Sequence, residues 1–187
     1  MGKRVRGDGR GRGGRGALSR GPTLAAWLSA VGSEGARAAL LAVDELHYGQ
    51  NLAALLRIAD AGGVGGVVLP PARSHPGLTP AVRDLAGAAA VRVPLIRQGL
   101  FASLAQLRRA GYLIVGACED APKAFHEVDY TVAPVAFVLG GEDKGLSSAL
   151  RAKCEELVSL PMRGQVPSLN VAATAAVLVY ERLRQWG

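Results

Sequence analysis

The chain has 187 residues, 49% of them hydrophobic, and a formal charge of +7. That suits one full core with an appendage; no apolar run approaches the roughly 18–20 residues of a membrane span, and the first residues hold no apolar signal-peptide core. Only Cys118 and Cys154 occur, without a CxxC pair, and His47, His75 and His126 lack metal-ligand spacing, so neither a disulfide framework nor a metal site is indicated and a reducing, cytoplasmic setting is expected.

The excess charge sits at the start. Residues 1–20 carry Lys3, Arg4, Arg6, Arg10, Arg12, Arg15 and Arg20 against Asp8 alone. Many glycines and few apolar residues predict a disordered tail over 1–21, followed by one domain over 22–187. A flexible basic arm suits the phosphate backbone of RNA, although it lacks the aromatics of a stacking platform. A linker or a solubilising tail is the alternative.

From Pro22 the pattern becomes regular. A short helix opens over 23–28 with Thr23 placed as its N-cap, and 40–43 reads as the first strand. Over 51–61, Leu52, Leu55, Leu56 and Ala59 recur at i, i+3, i+4 and i+7, an amphipathic helix closed by Gly62-Gly63. A strand over 67–69 stops at Pro70-Pro71. There follow a helix over 80–86, a strand over 91–96, a helix over 100–110 and a strand over 112–116. The remainder reads as a strand over 135–139, a helix over 147–153, a strand over 157–160 and a helix over 169–184. Such alternation implies an α/β fold: a parallel sheet with helices on both faces.

Two strands break abruptly into loops. Val135-Ala136-Phe137-Val138-Leu139 runs into Gly140-Gly141-Glu142-Asp143-Lys144-Gly145, and Leu157-Val158-Ser159-Leu160-Pro161 runs into Met162-Arg163-Gly164-Gln165-Val166-Pro167-Ser168-Leu169-Asn170. Ligands of open α/β sheets bind outside the carboxyl ends of strands, so these two ends are the expected site. No GxGxxG follows the first strand, and the Lys and Ser of GGEDKGLSS are not in P-loop order. A GxSxG nucleophile elbow is absent as well. The last helix leaves almost no polar face between Val171 and Val179. A helix apolar all round is buried on both sides, here against the sheet and against a second copy of the chain; burial wholly inside one copy is the alternative.

Three segments, in order, carry a resemblance. They are Asn51-Leu52-Ala53-Ala54-Leu55-Leu56-Arg57; Leu139-Gly140-Gly141-Glu142-Asp143-Lys144-Gly145-Leu146; and Leu160-Pro161-Met162 with Ser168-Leu169-Asn170-Val171. Together they resemble the three motifs of the SpoU (TrmH-like) RNA 2′-O-ribose methyltransferases, within the SPOUT superfamily, over roughly residue 40 to the end. Two positions depart from the family pattern: Leu52 stands where a glycine is usual, and Ala172 where a serine is usual.

The resemblance implies a C-terminal segment threaded as a deep trefoil knot, S-adenosylmethionine bound in it, and a homodimer through the C-terminal helix. It also implies methyl transfer to a ribose 2′-hydroxyl of rRNA or tRNA. Leu139, Gly140, Gly141, Leu160, Met162, Ser168 and Leu169 would hold the cofactor, while Arg57, Asn51, Glu142, Asn170 and Ser168 would serve catalysis. Arg57 and Asn51 share a helix but not one face. A guanidinium stays protonated, so Arg57 suits gripping phosphate and stabilising a developing alkoxide better than acting as a base. Glu142 and Asn170 are expected to fix Arg57 and the substrate hydroxyl. The plainer readings are a solvated Arg57, a turn carboxylate at Glu142, a simple N-cap at Asn170 and a tight turn at Gly140-Gly141. For the whole chain, the alternative to an enzyme is a non-catalytic RNA-binding or assembly module on the same fold.

Overall fold

A computed structural model describes residues 21–31, 37–71, 77–142 and 144–187. The tail expected over 1–21, save Gly21, lies outside the described residues. Among the described residues, seven strands form one sheet: β1 Ala39–Val43, β2 Val67–Leu69, β3 Leu95–Arg97, β4 Leu113–Ala117, β5 Lys123–Ala124, β6 Val135–Leu139 and β7 Glu156–Ser159. They lie in the order β3-β2-β1-β6-β4-β7-β5, and every ladder is parallel.

Helices cover both faces, as a parallel sheet requires. Side chains alternate along a strand, so Ala39, Leu41 and Val43 of β1 join one core and Leu40 and Ala42 the other. The first core takes α2 (Gly49–Ala61), α3 (Pro80–Ala86), α4 (Ala89–Arg92) and α7 (Val171–Trp186). Leu52, Leu55, Leu56 and Ala59 are the buried stripe of α2, each large side chain stabilising by about 1.5–3 kcal/mol. The second core takes α1 (Leu24–Val31), α5 (Leu100–Arg109) and α6 (Ser148–Arg151). There Trp27 fills the layer and its indole N–H donates to the Gly65 carbonyl at 2.7 Å. Thr23, Thr79, Ser147 and Asn170 each close a helix start with a side-chain oxygen.

Where the sequence pattern and the fold differ, the cause is local. The strand expected over 91–96 begins only at Leu95, because Val91 and Arg92 finish α4. Pro94 has no N–H for a ladder, and Val91 faces solvent. The last helix starts at Val171 rather than 169, since Asn170 is its N-cap. Two short elements carry no readable period: β5, and a 3-10 turn over Phe125–Glu127. Gly62 lets α7 approach the end of α2, since a Cβ there would lie 2.1 Å from Val179 Cγ1. No helix among the described residues is long and apolar enough to cross a membrane.

Candidate functional site

The sheet order reverses at β1, β6 and β4, the place where open α/β sheets leave a crevice. A cavity of about 560 Å³ opens there, at the carboxyl ends of β4, β6 and β7.

One wall is the turn after β6. The Gly145 N–H donates to the Gly141 carbonyl at 3.0 Å, and the two residues form a single antiparallel bridge. Gly145 takes a positive φ of 61°, which favours glycine. A Cβ on Gly140 would sit 2.0 Å from the Gly145 carbonyl carbon and 2.2 Å from the Leu146 nitrogen. The turn therefore doubles back so tightly that only hydrogen fits, and its backbone faces the cavity. The opposite wall is the largely exposed loop from Leu160 to Asn170.

Three segments meet at the edge of the cavity. The Asn51 side-chain amide, in the first turn of α2, donates to Glu142 Oε1. Asn170 Nδ2 donates to Asn51 Oδ1 at 3.0 Å, and the His47 backbone N–H donates to Glu142 Oε2 at 3.2 Å. Asn170 also accepts from the Ala172 N–H at 2.8 Å, so the N-cap role and the cluster role coexist. Bonds to a carboxylate are stronger than neutral ones, and the two to Glu142 span 91 and 95 residues; the neutral amide bond from Asn170 to Asn51 spans 119.

Leu139, Gly140, Gly141, Leu160, Met162, Ser168 and Leu169 all line the cavity, as do Asn51, Glu142 and Asn170. Arg57 does not. It stands exposed on the other side of α2, in a shallow groove with Gln50, Ala53, Ala54, Ile58 and Leu85. Six residues along a helix turn a side chain about 240° from the first. The expected links from Glu142 and Asn170 to Arg57 are thus replaced by links to Asn51.

Sequence reasoning missed the third strand end. Ala117 ends β4, and Cys118 and Glu119 follow it into the cavity, because β4 lies between β6 and β7; the rule about carboxyl ends of strands, applied to every strand, points to them. Arg151 was missed too. Its Nη1 donates to both Asp120 carboxylate oxygens at 2.6 and 2.8 Å, and its Nε to the Leu146 carbonyl at 3.1 Å. That joins the loop after β4 to the turn after β6. The hydrogen bond from Arg151 holds the Asp120 carboxyl below its usual range. Burial pushes the Cys118 thiol up, the direction opposite to that of an activated thiol. Among the described residues no three His, Cys, Asp or Glu side chains gather as a metal site requires.

A model of the SpoU rRNA Methylase family matches residues 38–180. Over 149 residues the chain is 41% identical to 23S rRNA (guanosine-2′-O-)-methyltransferase RlmB of Nitrosomonas europaea, covering 79% of this chain and 56% of that protein. The RlmB of Pseudomonas syringae is 40% identical over 147 residues, with 78% and 58% covered. The chain therefore spans a little over half the length of these curated relatives. Among solved structures, the SpoU methyltransferase AviRb from Streptomyces viridochromogenes in complex with AdoMet superposes with a TM-score of 0.71 at 27% identity, covering 79% of this chain and 57% of that one. An RNA 2′-O ribose methyltransferase superposes with a TM-score of 0.71 at 30% identity, covering 80% and 57%.

Proposed function

The chain belongs to the SpoU rRNA Methylase family, and from that premise we propose that it is an S-adenosylmethionine-dependent methyltransferase acting on a ribose 2′-hydroxyl of rRNA or tRNA. The observation that carries the reading is the Asn51–Glu142–Asn170 set, hydrogen-bonded across three distant segments at the edge of one cavity. A purely structural turn and cap would not need to find each other there.

The residues present fit the cofactor. The tight turn at Gly140 and the loop from Leu160 offer backbone groups without side chains in the way, and Leu139, Val158, Leu160 and Leu169 supply apolar walls for an adenine ring. When bound, S-adenosylmethionine supplies an electrophilic methyl group. What remains for this chain is to position a ribose oxygen and manage its proton and charge. In this reading Glu142 orients Asn51, and Asn51, Asn170 and Ser168 direct the hydroxyl.

Arg57 points away from its own cavity, which supports a two-copy enzyme in which it reaches the partner's substrate. Ala173, Tyr180 and Leu183 form an exposed stripe along α7, a suitable face for the pairing. The proposal includes the threaded C-terminal segment, a domain over 22–187, a basic RNA-contacting arm before it, and a cytoplasmic setting, which the two free thiols support. The RNA to try first is the one in the relatives' name, a guanosine in 23S rRNA.

S-adenosylhomocysteine should raise the melting temperature, as any ligand selective for the folded state does, and labelled methyl should enter total RNA from cells lacking the protein. Neither effect would leave the non-catalytic module as the better reading.

A further inference from the structure

Tyr48 stands at the lip of the cavity, and among the described residues no hydrogen bond or ring contact uses its ring. It holds the N-cap position of α2 with extended backbone, φ −108° and ψ 127°, and makes no side-chain cap hydrogen bond. Short polar residues are favoured there because they close on a free N–H; a phenol ring cannot. The helix start is served by the Tyr48 carbonyl instead, which accepts from the N–H of Asn51 at 3.1 Å and of Leu52 at 3.4 Å. Core packing does not account for the ring either, since Tyr48 is 66% exposed.

The position is nonetheless a fixed one. Tyr48 lines the same cavity as Asn51, Glu142 and Asn170. Its backbone is tied on both sides to that set: the preceding residue, His47, donates to Glu142, and Asn51 turns back onto the Tyr48 carbonyl. A large flat side chain is thus mounted on a constrained segment, beside the groups proposed to direct the hydroxyl, and stands mostly exposed.

We propose that Tyr48 is the platform on which the base of the methylated nucleotide stacks; this rests on the reading of the site as an RNA ribose methyltransferase. A 2′-hydroxyl reaches a cluster at the edge of a cavity when its nucleotide is splayed away from its neighbours. Splaying gives up base stacking, and an aromatic ring at the cavity mouth restores one face of it. Every base has a π-face, so the contact holds and orients the nucleotide without selecting its identity.

The test uses the full chain, an unmodified 23S rRNA transcript as probe, and the variants Tyr48→Phe, Tyr48→Leu and Tyr48→Ala. RNA affinity is measured with S-adenosylhomocysteine present and no turnover, and the RNA concentration giving half-maximal methyl transfer is measured separately. Tyr48→Ala and Tyr48→Leu should weaken both about tenfold, within the range that base–aromatic stacking spans, while Tyr48→Phe stays within about twofold of wild type. The melting-temperature rise caused by S-adenosylhomocysteine should be the same in all four proteins. Wild-type behaviour of Tyr48→Ala overturns the proposal. So does a Tyr48→Phe as weak as Tyr48→Ala, which would assign the work to the hydroxyl, or loss of the cofactor shift, which would place Tyr48 in the cofactor pocket. Should the wild type bind RNA but transfer no methyl, the enzymatic reading fails alone, and the RNA affinities still decide on Tyr48.

Discussion

Asn51 and Arg57 leave α2 on different sides, and that divides their work. Asn51 is locked between Glu142 and Asn170. The Arg57 guanidinium makes no hydrogen bond or ion pair within its own chain among the described residues, so its charge is available to an incoming phosphate or to a second copy. If it stabilises charge that develops only during transfer, its loss should lower turnover far more than cofactor affinity. Arg57→Ala is expected to keep the S-adenosylhomocysteine shift and to methylate RNA at least about a hundredfold more slowly. Arg57→Lys should rescue little, because an ammonium lacks the planar fork. Mixing Arg57→Ala with Glu142→Ala should regain activity if the arginine serves the partner's cavity. Near-full methylation by Arg57→Ala alone would remove the residue from the mechanism. The sequence made Asn51, Glu142 and Asn170 legible because each sits in a short motif, and the helical period already put Arg57 on another face. The carboxylate's choice of Asn51 over Arg57 was not legible, since it depends on how two loops fold against a third. Tyr48 and Cys118 were also hidden: neither residue type announces a site until the chain brings it to a cavity.

The turn after β6 shows what a single missing Cβ decides for an element. The resemblance has Gly140 among the residues that hold the cofactor, and the plainer reading has it in a tight turn. The structure has it leaving room for the turn itself, since the first clash of any side chain is with the Gly145 and Leu146 backbone. Even Gly140→Ala should therefore force the turn open and abolish the melting-temperature rise with S-adenosylhomocysteine. Gly141→Ala should keep more of it, because its Cβ would meet the Glu45 Cβ at 3.0 Å, a contact that a small shift of the segment after β1 relieves. A full ligand shift in Gly140→Ala would show that the folded-back turn is not what the ligand needs. Elements bounded by Gly or Pro are the readable ones: β2, α3 and β6 begin and end where the sequence pattern places them. α4 was misread because four residues beside a proline carry too little period to separate helix from strand. The two residues of β5 carry none.

Charge is a property of the whole molecule, and here it is concentrated in one segment. Residues 1–20 hold seven of the 22 basic side chains and one of the 15 acidic ones. Removing them should leave the fold unchanged, weaken RNA binding and flatten the dependence of affinity on salt. Equal salt slopes with and without the segment would show that it does not touch RNA. The parallel α/β class was legible from alternating periods, but the strand order was not, because local pattern says nothing about which distant strands pair. β1 takes β6 as its neighbour in full register from Ala39–Val135 to Val43–Leu139. That pairing has a consequence for synthesis. On a ribosome adding about 5–20 residues per second, β1 waits on the order of ten seconds for the strand that completes its flank. In that interval β1 has an open backbone edge, the kind of surface that chaperones shield from other nascent chains. The turn after β6, β7 and the loop to Asn170 are made later than both β1 and β4. A growing chain therefore acquires the centre of its sheet before its cavity, and no fragment released before Asn170 can assemble the full binding site.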